Sequence, residues 1–458
     1  MKARGRAAAR PEQRGKGQAL VSPARMAAFS ILRRVEEDGA YASVLLAESD
    51  EELRADDRAL SYELVLGTLR RRLWLDSLIE HYSGGRRSES LDAPVLRALR
   101  LGLYQLRFLS RIPASAVVNE AVNLAHLSRL RSASGFINAV LRRATREPDY
   151  DPAANVSDPI ERLAIETSHP AWLIERWLKA FGAEETEAFA RASNEAPPVA
   201  FRVVPLKASE AEVLEQLRAA GALLTPSEIA PAAWRIQGAG ALLRVLAREG
   251  KVYVQDEASQ LVAHVLDARA AESVLDVCAA PGSKTTHIAA RSPGLRLIVA
   301  GDLHEHRLAT VREASLRQGV RSLSLVVHDA SAGVPFAVGA FDRVLVDAPC
   351  SGTGTLRRNP EIRWRISPSD IFELAARQQR IVAEAAQMVR RGGRLVYSTC
   401  SVETEENEGV IAAFLKENTD FRQVPAETRT AGCGPSVRIW PHREGADGFF
   451  IASFERAG

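Results

Sequence analysis

The chain has 458 residues and a formal net charge of +3 at pH 7, with 46% apolar and 26% charged residues. That length is too great for one ordinary core and predicts about three domains. No run of about 18 apolar residues occurs and the basic start lacks the apolar segment of a secretory signal, so we expect neither a membrane span nor export. The four cysteines fit no paired metal-ligand spacing, which predicts no metal site and free thiols in a reducing cytoplasm.

Residues 1–22 are rich in Ala, Gly, Arg and Gln without an apolar period, and they predict a disordered basic tail. Basic charge is concentrated towards the N-terminus, because residues 1–150 hold 25 Lys and Arg against 18 Asp and Glu, whereas the remaining residues hold 35 against 39. This excess is compatible with a polyanionic partner, although an ordinary solvated surface explains it equally well.

Residues 23–148 predict an all-α bundle of about six helices, because apolar side chains recur at three- and four-residue spacings throughout. The loop signals Ser83-Gly84-Gly85 and Ile112-Pro113 separate helices, and Asp92-Ala93-Pro94 opens one. Leu101, Leu103, Tyr104 and Leu106 are expected in the bundle core.

Besides its helical periodicity, the same region contains three motifs that resemble a known family. They are Leu99-Arg100-Leu101-Gly102-Leu103-Tyr104-Gln105-Leu106, Asn119-Glu120-Ala121-Val122 and Gly135-Phe136-Ile137-Asn138-Ala139-Val140-Leu141-Arg142-Arg143. Together they resemble the NusB family of RNA-binding antitermination factors. The resemblance implies a helical domain that docks on RNA.

Residues 150–170 predict a linker, because Asp151-Pro152 and Ser168-His169-Pro170 break the helical period. Residues 160–250 predict a small α+β domain, with a helix from Trp172 and a strand at Val199 to Val204. Trp172 and Trp177 could stack on bases, but aromatic residues at helical spacing usually belong to a core.

Residues 251–458 alternate strands with helices, which predicts a parallel, doubly wound α/β sheet of the Rossmann-like type. An antiparallel hairpin at Val437 to Trp440 and Phe449 to Phe454 is expected to close it. The predicted helices are Glu305 to Gln318 and Asp370 to Arg390. The predicted parallel strands are Ser273 to Val277, Leu297 to Ala300, Leu323 to Val327, Phe341 to Val346 and Arg394 to Ser398.

Two of these strands run directly into cysteines, Cys350 and Cys400. Ligands bind beyond the carboxyl ends of parallel strands, so both thiols are expected to face one site. A buried structural thiol is the commoner fate of a lone cysteine, but two matching strand ends favour chemistry, with Cys400 as a nucleophile. Cys278 is the better candidate for a packed thiol, and Cys433 receives no role.

Carboxylates follow the second and third predicted strands, in a pattern that suits a nucleoside cofactor. Gly282 lets backbone approach a ligand at the start of a helix, and Asp302 follows the second strand, where a carboxylate can bind ribose hydroxyls. Asp329 follows the third strand and could hold an adenine amino group. Singly, each Asp is more often a turn residue. Neither a dinucleotide nor a P-loop fingerprint is present.

The strand-end motifs, with Gln255-Asp256-Glu257-Ala258-Ser259 and Asp447-Gly448-Phe449-Phe450, resemble the RNA cytosine-5 methyltransferases of the NOL/NOP/Sun family over the last 200 residues. A NusB-like domain ahead of them resembles the bacterial Sun-type branch. That resemblance implies methylation of carbon 5 of a cytidine in 16S rRNA by S-adenosylmethionine, through a covalent cysteine adduct at carbon 6. It makes Cys400 the attacking thiol, assigns Cys350 to release, and places Asp347 and Lys284 against the base.

The cytidine is expected in an unstacked loop or bulge, because the target atoms lie on the face and edge of the base. Two alternatives stay open: a non-catalytic RNA-binding or antitermination factor, and the same chemistry on another RNA such as tRNA. The expected cofactor-binding residues are Cys278, Ala279, Ala280, Pro281, Gly282, Ser283, Lys284, Asp302, Arg307, Asp329 and Asp347.

Overall fold

A computed structural model describes residues 21–49, 53–426 and 434–458. Most of the predicted basic tail and all of Cys433 lie outside these residues. The chain divides into two compact units, one up to Ser157 and the other from Asp158 onward. Within the described residues, none of the helices is long and apolar enough to cross a bilayer.

The first unit is all-α, as the sequence predicts, but its described part has seven α-helices rather than about six. The extra helix arises at Arg71, where the backbone leaves the helical region at φ −108°. This break divides one apolar stretch into two helices. The helices are α1 (Pro23–Glu37), α2 (Ala42–Ser49), α3 (Ala55–Arg70), α4 (Arg72–Tyr82), α5 (Ala93–Phe108), α6 (Ala114–Leu127) and α7 (Ser134–Arg146), with 3-10 turns at Ser88–Ser90 and Arg131–Ala133.

Helix α5 forms the centre of this bundle, and Leu101, Leu103 and Tyr104 on it are buried as predicted. Two glycines let neighbouring helices approach closely. A Cβ on Gly67 of α3 would lie 2.0 Å from the ring of Tyr104, and one on Gly102 would lie 2.8 Å from Leu141 of α7. The motif that resembles NusB is therefore also a packing motif.

The second unit begins with three helices, α8 (Pro159–Thr167), α9 (Ala171–Phe181) and α10 (Ala183–Ala192). The predicted linker at 150–170 is wrong over the length of α8. Pro159 occupies the first turn, where its fixed φ suits a helix, and the Asp158 side chain accepts a hydrogen bond from the Glu161 N–H. Ser168 ends α8 in the left-handed region.

A four-stranded antiparallel sheet follows in the order β2-β3-β1-β4. It confirms the predicted α+β character, but its last strand lies wholly beyond residue 250, where the sequence predicts the domain to end. Trp177 of α9 is fully buried against Phe189, as expected of a core aromatic. The elements are β1 (Val199–Val203), α11 (Glu210–Ala219), β2 (Leu223–Pro226), β3 (Ala233–Gln237), α12 (Gly240–Arg248) and β4 (Val252–Val254).

The last part is a mixed sheet in the order β10-β12-β9-β8-β5-β6-β7, with β11 paired to β12. Strands β5 to β9 are parallel and β12 pairs antiparallel with β9. The elements are α13 (Glu257–Leu266), β5 (Ser273–Asp276), α14 (Ser283–Arg291), β6 (Leu297–Asp302), α15 (Glu305–Gln318), β7 (Ser324–Val327), β8 (Phe341–Asp347), α16 (Ile362–Arg365), α17 (Pro368–Met388), β9 (Val389–Thr399), α18 (Glu408–Glu417), β10 (Phe421–Val424), β11 (Ser436–Ile439), α19 (Pro441–Glu444) and β12 (Phe449–Arg456), with a 3-10 turn at Thr353–Thr355.

All five predicted parallel strands are present, and α15 spans the predicted residues. Two details differ. Helix α17 ends at Met388, and the chain enters β9 at Val389, where the sequence predicts helix to Arg390. The closing hairpin contains the short helix α19 rather than a simple turn, because Pro441 follows β11 and starts a new helical turn.

Candidate active site

A cleft of about 260 Å³ opens at the carboxyl ends of β5, β6, β8 and β9. It lies where the strand order reverses between β5 and β8, the position at which open α/β sheets bind ligands. Its wall includes eight of the residues singled out in the sequence. These are Cys278, Ala280, Asp302, Arg307, Asp329, Asp347, Cys350 and Cys400.

The two strand-end thiols meet in this cleft. Cys350 Sγ lies 3.4 Å from Cys400 Sγ, within hydrogen-bonding distance for sulfur. The hydrogen bond to Cys400, together with burial, raises the pKa of Cys350. Their proximity follows from strand register, because Asp347 of β8 pairs with Ser398 of β9 and each cysteine lies two or three residues further on.

A buried ion pair stands beside the thiols. Lys284 Nζ donates to Asp347 Oδ2 at 2.6 Å, and the Ser398 hydroxyl donates to the other carboxylate oxygen at 2.8 Å. Burial alone would lower the pKa of Lys284. The charge of Asp347 and its hydrogen bond outweigh burial, so the pKa is raised and the ammonium stays protonated. The Lys284 ammonium also lies 5.2 Å from the ring centre of Phe449. Asp347 and Lys284 therefore present fixed hydrogen-bonding groups at the thiol end of the site.

The opposite wall carries the predicted cofactor carboxylates. Asp302 is buried and accepts from the backbone N–H groups of Ala280 at 3.3 Å and His304 at 3.2 Å, and Arg307 Nη1 lies 3.4 Å away. Asp329 accepts from the N–H and hydroxyl of Ser331, which lowers its pKa. Asp329 is thus a turn residue as well as part of the cleft wall.

The loop between β5 and α14 has a structural need for glycine. Gly282 has φ +97°, and a Cβ there would lie 3.1 Å from Val311 Cα of α15. The glycine that the sequence assigns to ligand approach is therefore also required by the turn and by the approach of α15. Ala279, Pro281, Gly282 and Ser283 do not line the cleft, and Lys284 reaches its thiol end only through the ion pair with Asp347.

Asp276 lies behind this loop at the end of β5. Its Oδ2 accepts from the Thr285 hydroxyl at 2.6 Å, while its buried Oδ1 has no hydrogen-bond partner among the described residues. Burial raises the pKa of Asp276 to about 7. Burial also raises the pKa of Cys278, helped by the charges of Asp276 and Asp347, so Cys278 is held as a neutral thiol.

Buried ion pairs support the loop that follows Cys350. Asp447 accepts from Arg357 at 2.9 Å and from Arg358, and Arg358 also contacts Asp256 at 2.9 Å. A Cβ on Gly354 would lie 2.0 Å from the carbonyl oxygen of Gly448. The motifs around residues 256 and 447, to which the sequence analysis gives no separate role, hold this loop in place.

Sequence reasoning missed several residues of the site. His328, Arg377 and Ile381 line the cleft, and both ring nitrogens of buried His328 have no partner among the described residues. His328 directly precedes Asp329, and that adjacency is the signal that could have identified it. Arg377 and Ile381 lie on α17, where no local motif marks them. Within the described residues, no group of three or more His, Cys, Asp or Glu side chains could hold a metal.

The fold and this cleft define a methyltransferase with an added helical RNA-binding domain. Three family descriptions match the chain: "16S rRNA methyltransferase RsmB/F" over residues 263–455, "NusB family" over 22–146, and "Methyltr_RsmF/B-like, ferredoxin-like domain" over 169–242. The chain belongs to the RsmB/F family of 16S rRNA methyltransferases.

Two curated relatives and one solved structure match nearly the whole length of the chain. The chain is 37% identical to the "Probable ribosomal RNA small subunit methyltransferase B" of Bacillus subtilis (strain 168), covering 94% of this chain and 98% of the relative. It is 39% identical to the protein of the same name from Synechocystis sp., covering 95% and 99%. The crystal structure of PH0851 superposes with a TM-score of 0.83 at 29% identity, covering 96% and 100%. NSun6 from Pyrococcus horikoshii, solved with SFG, shares the fold at a TM-score of 0.57 and 22% identity, covering 63% and 98%.

Proposed function

We propose that this rRNA methyltransferase transfers a methyl group from S-adenosylmethionine to carbon 5 of a cytidine in 16S rRNA, through a covalent adduct with Cys400. The observation that carries the proposal is the 3.4 Å separation of the Cys350 and Cys400 sulfur atoms, in a cleft that also contains Asp347. A single thiol would be enough for nucleophilic attack alone. Two thiols beside a hydrogen-bonding ion pair support attack and release.

Cys400 is the attacking group. Carbon 5 of cytosine is too weak a nucleophile to take a methyl group unaided, so the thiolate forms a bond to carbon 6 and makes carbon 5 electron-rich. The Cys400 thiol first gives its proton to water in the cleft, because the thiolate is the reactive form. The nearby Lys284 ammonium gives the setting a positive charge. Asp347 and Lys284 hold the polar edge of the base while charge develops on the ring.

Cys350 serves the release step. Once carbon 5 carries the methyl group, a base must remove its proton so that the carbon 6 to sulfur bond can break and restore the aromatic ring. The Cys350 thiolate takes that proton after its own proton has passed out through the cleft. In the free protein the hydrogen bond to Cys400 and burial raise the pKa of Cys350, so Cys350 is a protonated thiol while Cys400 attacks.

The residues of the opposite wall fit a nucleoside methyl donor. Asp302 and Asp329 supply carboxylate oxygens, Arg307 adds a cation, and Cys278 and Ala280 line the cleft from the loop between β5 and α14. The partnerless ring nitrogens of His328 support a polar ligand at this wall, because buried polar groups are normally hydrogen-bonded. When bound, S-adenosylmethionine supplies the methyl group.

We divide the work among the domains as follows. Residues 23–148 dock on RNA, residues 159–254 form the middle domain, and the residues that follow carry catalysis. The target base must leave its stack to reach the cleft, so we place it in a loop or bulge of 16S rRNA. We therefore place the protein, with its rRNA substrate, in the cytoplasm.

The test is to treat unmodified 16S rRNA and unmodified tRNA with the protein and S-adenosylmethionine, and then to map methylated cytidines by bisulfite sequencing. We expect one protected cytidine in the 16S rRNA and none without the methyl donor. Protection in tRNA instead would favour the same chemistry on another RNA. No protection in either RNA, with RNA binding intact, would favour a non-catalytic RNA-binding factor and overturn the proposal.

A further inference from the structure

A single buried carboxylate joins the two loops that carry the thiols. Glu406 is fully buried, and its side chain accepts hydrogen bonds from Ser351, which follows Cys350, and from Ser401, which follows Cys400. The mechanism proposed above does not use Glu406. Its position nevertheless connects the two reacting groups through one side chain.

The two oxygens of Glu406 accept from different kinds of donor. Oε1 accepts from the Ser351 N–H at 2.8 Å and from Gln378 Nε2 at 2.9 Å, and both of these groups can only donate. Oε2 accepts from the hydroxyls of Ser351 and Ser401. Burial raises the pKa of Glu406 above its ordinary value, although the four donors oppose that shift. Four donors around two oxygens are the environment of an ionised carboxylate, which has only acceptors to offer.

Two further buried side chains brace this carboxylate. Gln378 of α17 also donates to the carbonyl oxygen of Pro349 at 2.9 Å, on the other side of Cys350. The Tyr397 hydroxyl donates to the Glu406 carbonyl oxygen at 2.6 Å and lies 3.1 Å from Gln378 Oε1. The backbone on both sides of Cys350 is therefore tied to Glu406, as is the residue after Cys400.

We propose that Glu406 is a positioning residue that clamps the two cysteine loops together and so sets the distance between the Cys350 and Cys400 sulfur atoms. The inference rests on the proposed function, in which both thiols act on one base. A misplacement of about 1 Å costs on the order of 100-fold in rate when a reaction depends on alignment. The effect of Glu406 is thus exerted through the thiols and not on the substrate.

The first experiment measures thiol separation without any methylation. Phenylarsine oxide binds tightly only when two thiols lie close enough to share its arsenic atom, so its affinity reports the distance directly. We expect Glu406→Ala to bind it at least tenfold more weakly than the native protein, approaching the level of Cys350→Ala and Cys400→Ala. Glu417→Ala, an exposed glutamate on α18, is the control and should match the native protein.

The second experiment separates positioning from binding. For Glu406→Ala we expect kcat on 16S rRNA to fall about 100-fold while KM for S-adenosylmethionine stays within twofold. Glu406→Gln should recover at least tenfold of that loss, because its amide oxygen can take the place of Oε1 and the serine hydroxyls can rotate to accept from its NH2 group. If Glu406→Ala does not fold, Ser401→Ala removes one donor from the clamp and should weaken phenylarsine oxide binding in the same direction.

The outcomes distinguish this inference from the proposed function. Unchanged phenylarsine oxide affinity in a folded Glu406→Ala or Ser401→Ala variant overturns the clamp, whatever the activity. A rise in KM with kcat unchanged overturns it as well, because that result assigns Glu406 to binding. Weakened phenylarsine oxide binding in a protein whose native form methylates no cytidine supports the clamp and rejects the function instead.

Discussion

The sulfur atoms of Cys350 and Cys400 lie 3.4 Å apart although 50 residues separate them in the chain. Parallel pairing of β8 with β9 produces this contact, because the register sets Asp347 against Ser398 just before the two cysteines. The separation is short enough for both thiols to act on one pyrimidine ring. Replacing each cysteine in turn tests which role each thiol has.

Replacing each cysteine with alanine should give opposite results. Cys400→Ala is expected to abolish product and adduct, since no thiolate remains to attack carbon 6. Cys350→Ala is expected to leave enzyme bound to RNA as a denaturant-resistant adduct, because attack proceeds and release does not. The measurement is an SDS gel with labelled 16S rRNA and S-adenosylmethionine. Cys278→Ala is the control and should form product, and an adduct in Cys400→Ala would reverse the two roles.

The Lys284 to Asp347 ion pair gives a second prediction. In Lys284→Met the partly buried carboxylate of Asp347 loses its cation, and the developing charge on the ring loses its nearest positive group. We expect the single-turnover rate to fall roughly 100- to 1,000-fold, the loss typical of removing one such stabilising group. Lys179→Met, in an exposed pair with Glu175, is the matched control. A rate within threefold of the native rate in Lys284→Met would remove this lysine from the chemistry.

Much of this architecture can be predicted from the sequence, because strand ends in a parallel sheet share one edge. Cys350 and Cys400 each close an apolar run, and that pattern alone places them in one cleft. Local patterns also identify α15 and the bundle core around Tyr104. Helix α8 is the instructive failure. The breakers Asp151-Pro152 and Ser168-His169-Pro170 predict a linker, whereas the Asp158 cap and Pro159 start a helix between them.

The residues that sequence reasoning missed depend on contacts between distant segments. Glu406 has no local signature, and its importance follows only from the approach of Ser351 across 55 residues. Gln378 contacts Pro349 because α17 packs against the sheet. Apolar periodicity predicts the helix, but it does not predict which of its residues makes this contact. Asp276 looks like an ordinary strand-end carboxylate, and only burial distinguishes it.

Gly354 provides a third prediction. Its N–H donates to the Cys400 carbonyl oxygen at 2.9 Å and its own carbonyl accepts from the Gly448 N–H at 2.8 Å. A Cβ would lie 2.0 Å from the Gly448 carbonyl oxygen, so Gly354→Ala must move backbone rather than a flexible side chain. We expect kcat to fall about 100-fold, because the displaced loop carries Cys350. Gly135→Ala is the control, since a Cβ there meets no atom within 4 Å. Near-native activity in Gly354→Ala would show that the loop tolerates the shift.

Asp276 gives a prediction for stability against pH. Its folded pKa of about 7 lies above the ordinary unfolded value of about 3.9, so between these values the folded protein binds more protons than the unfolded chain. The free energy of unfolding contributed by Asp276 is therefore lost as pH rises towards 7. Asp276→Asn cannot ionise and escapes that loss.

The stability of Asp276→Asn relative to the native protein should thus increase by about 2.5 kcal/mol from pH 5 to pH 8, since the loss runs over about two pH units and one unit of pKa corresponds to about 1.4 kcal/mol. In thermal unfolding this is a gain of roughly 5 °C in the difference between the two Tm values. Asp329→Asn is the control, because hydrogen bonds from Ser331 lower the pKa of Asp329 and leave it ionised at both pH values. A Tm difference for Asp276→Asn that is the same at pH 5 and pH 8 would mean that this carboxyl does not titrate in between, and that its unpartnered oxygen is solvated rather than buried.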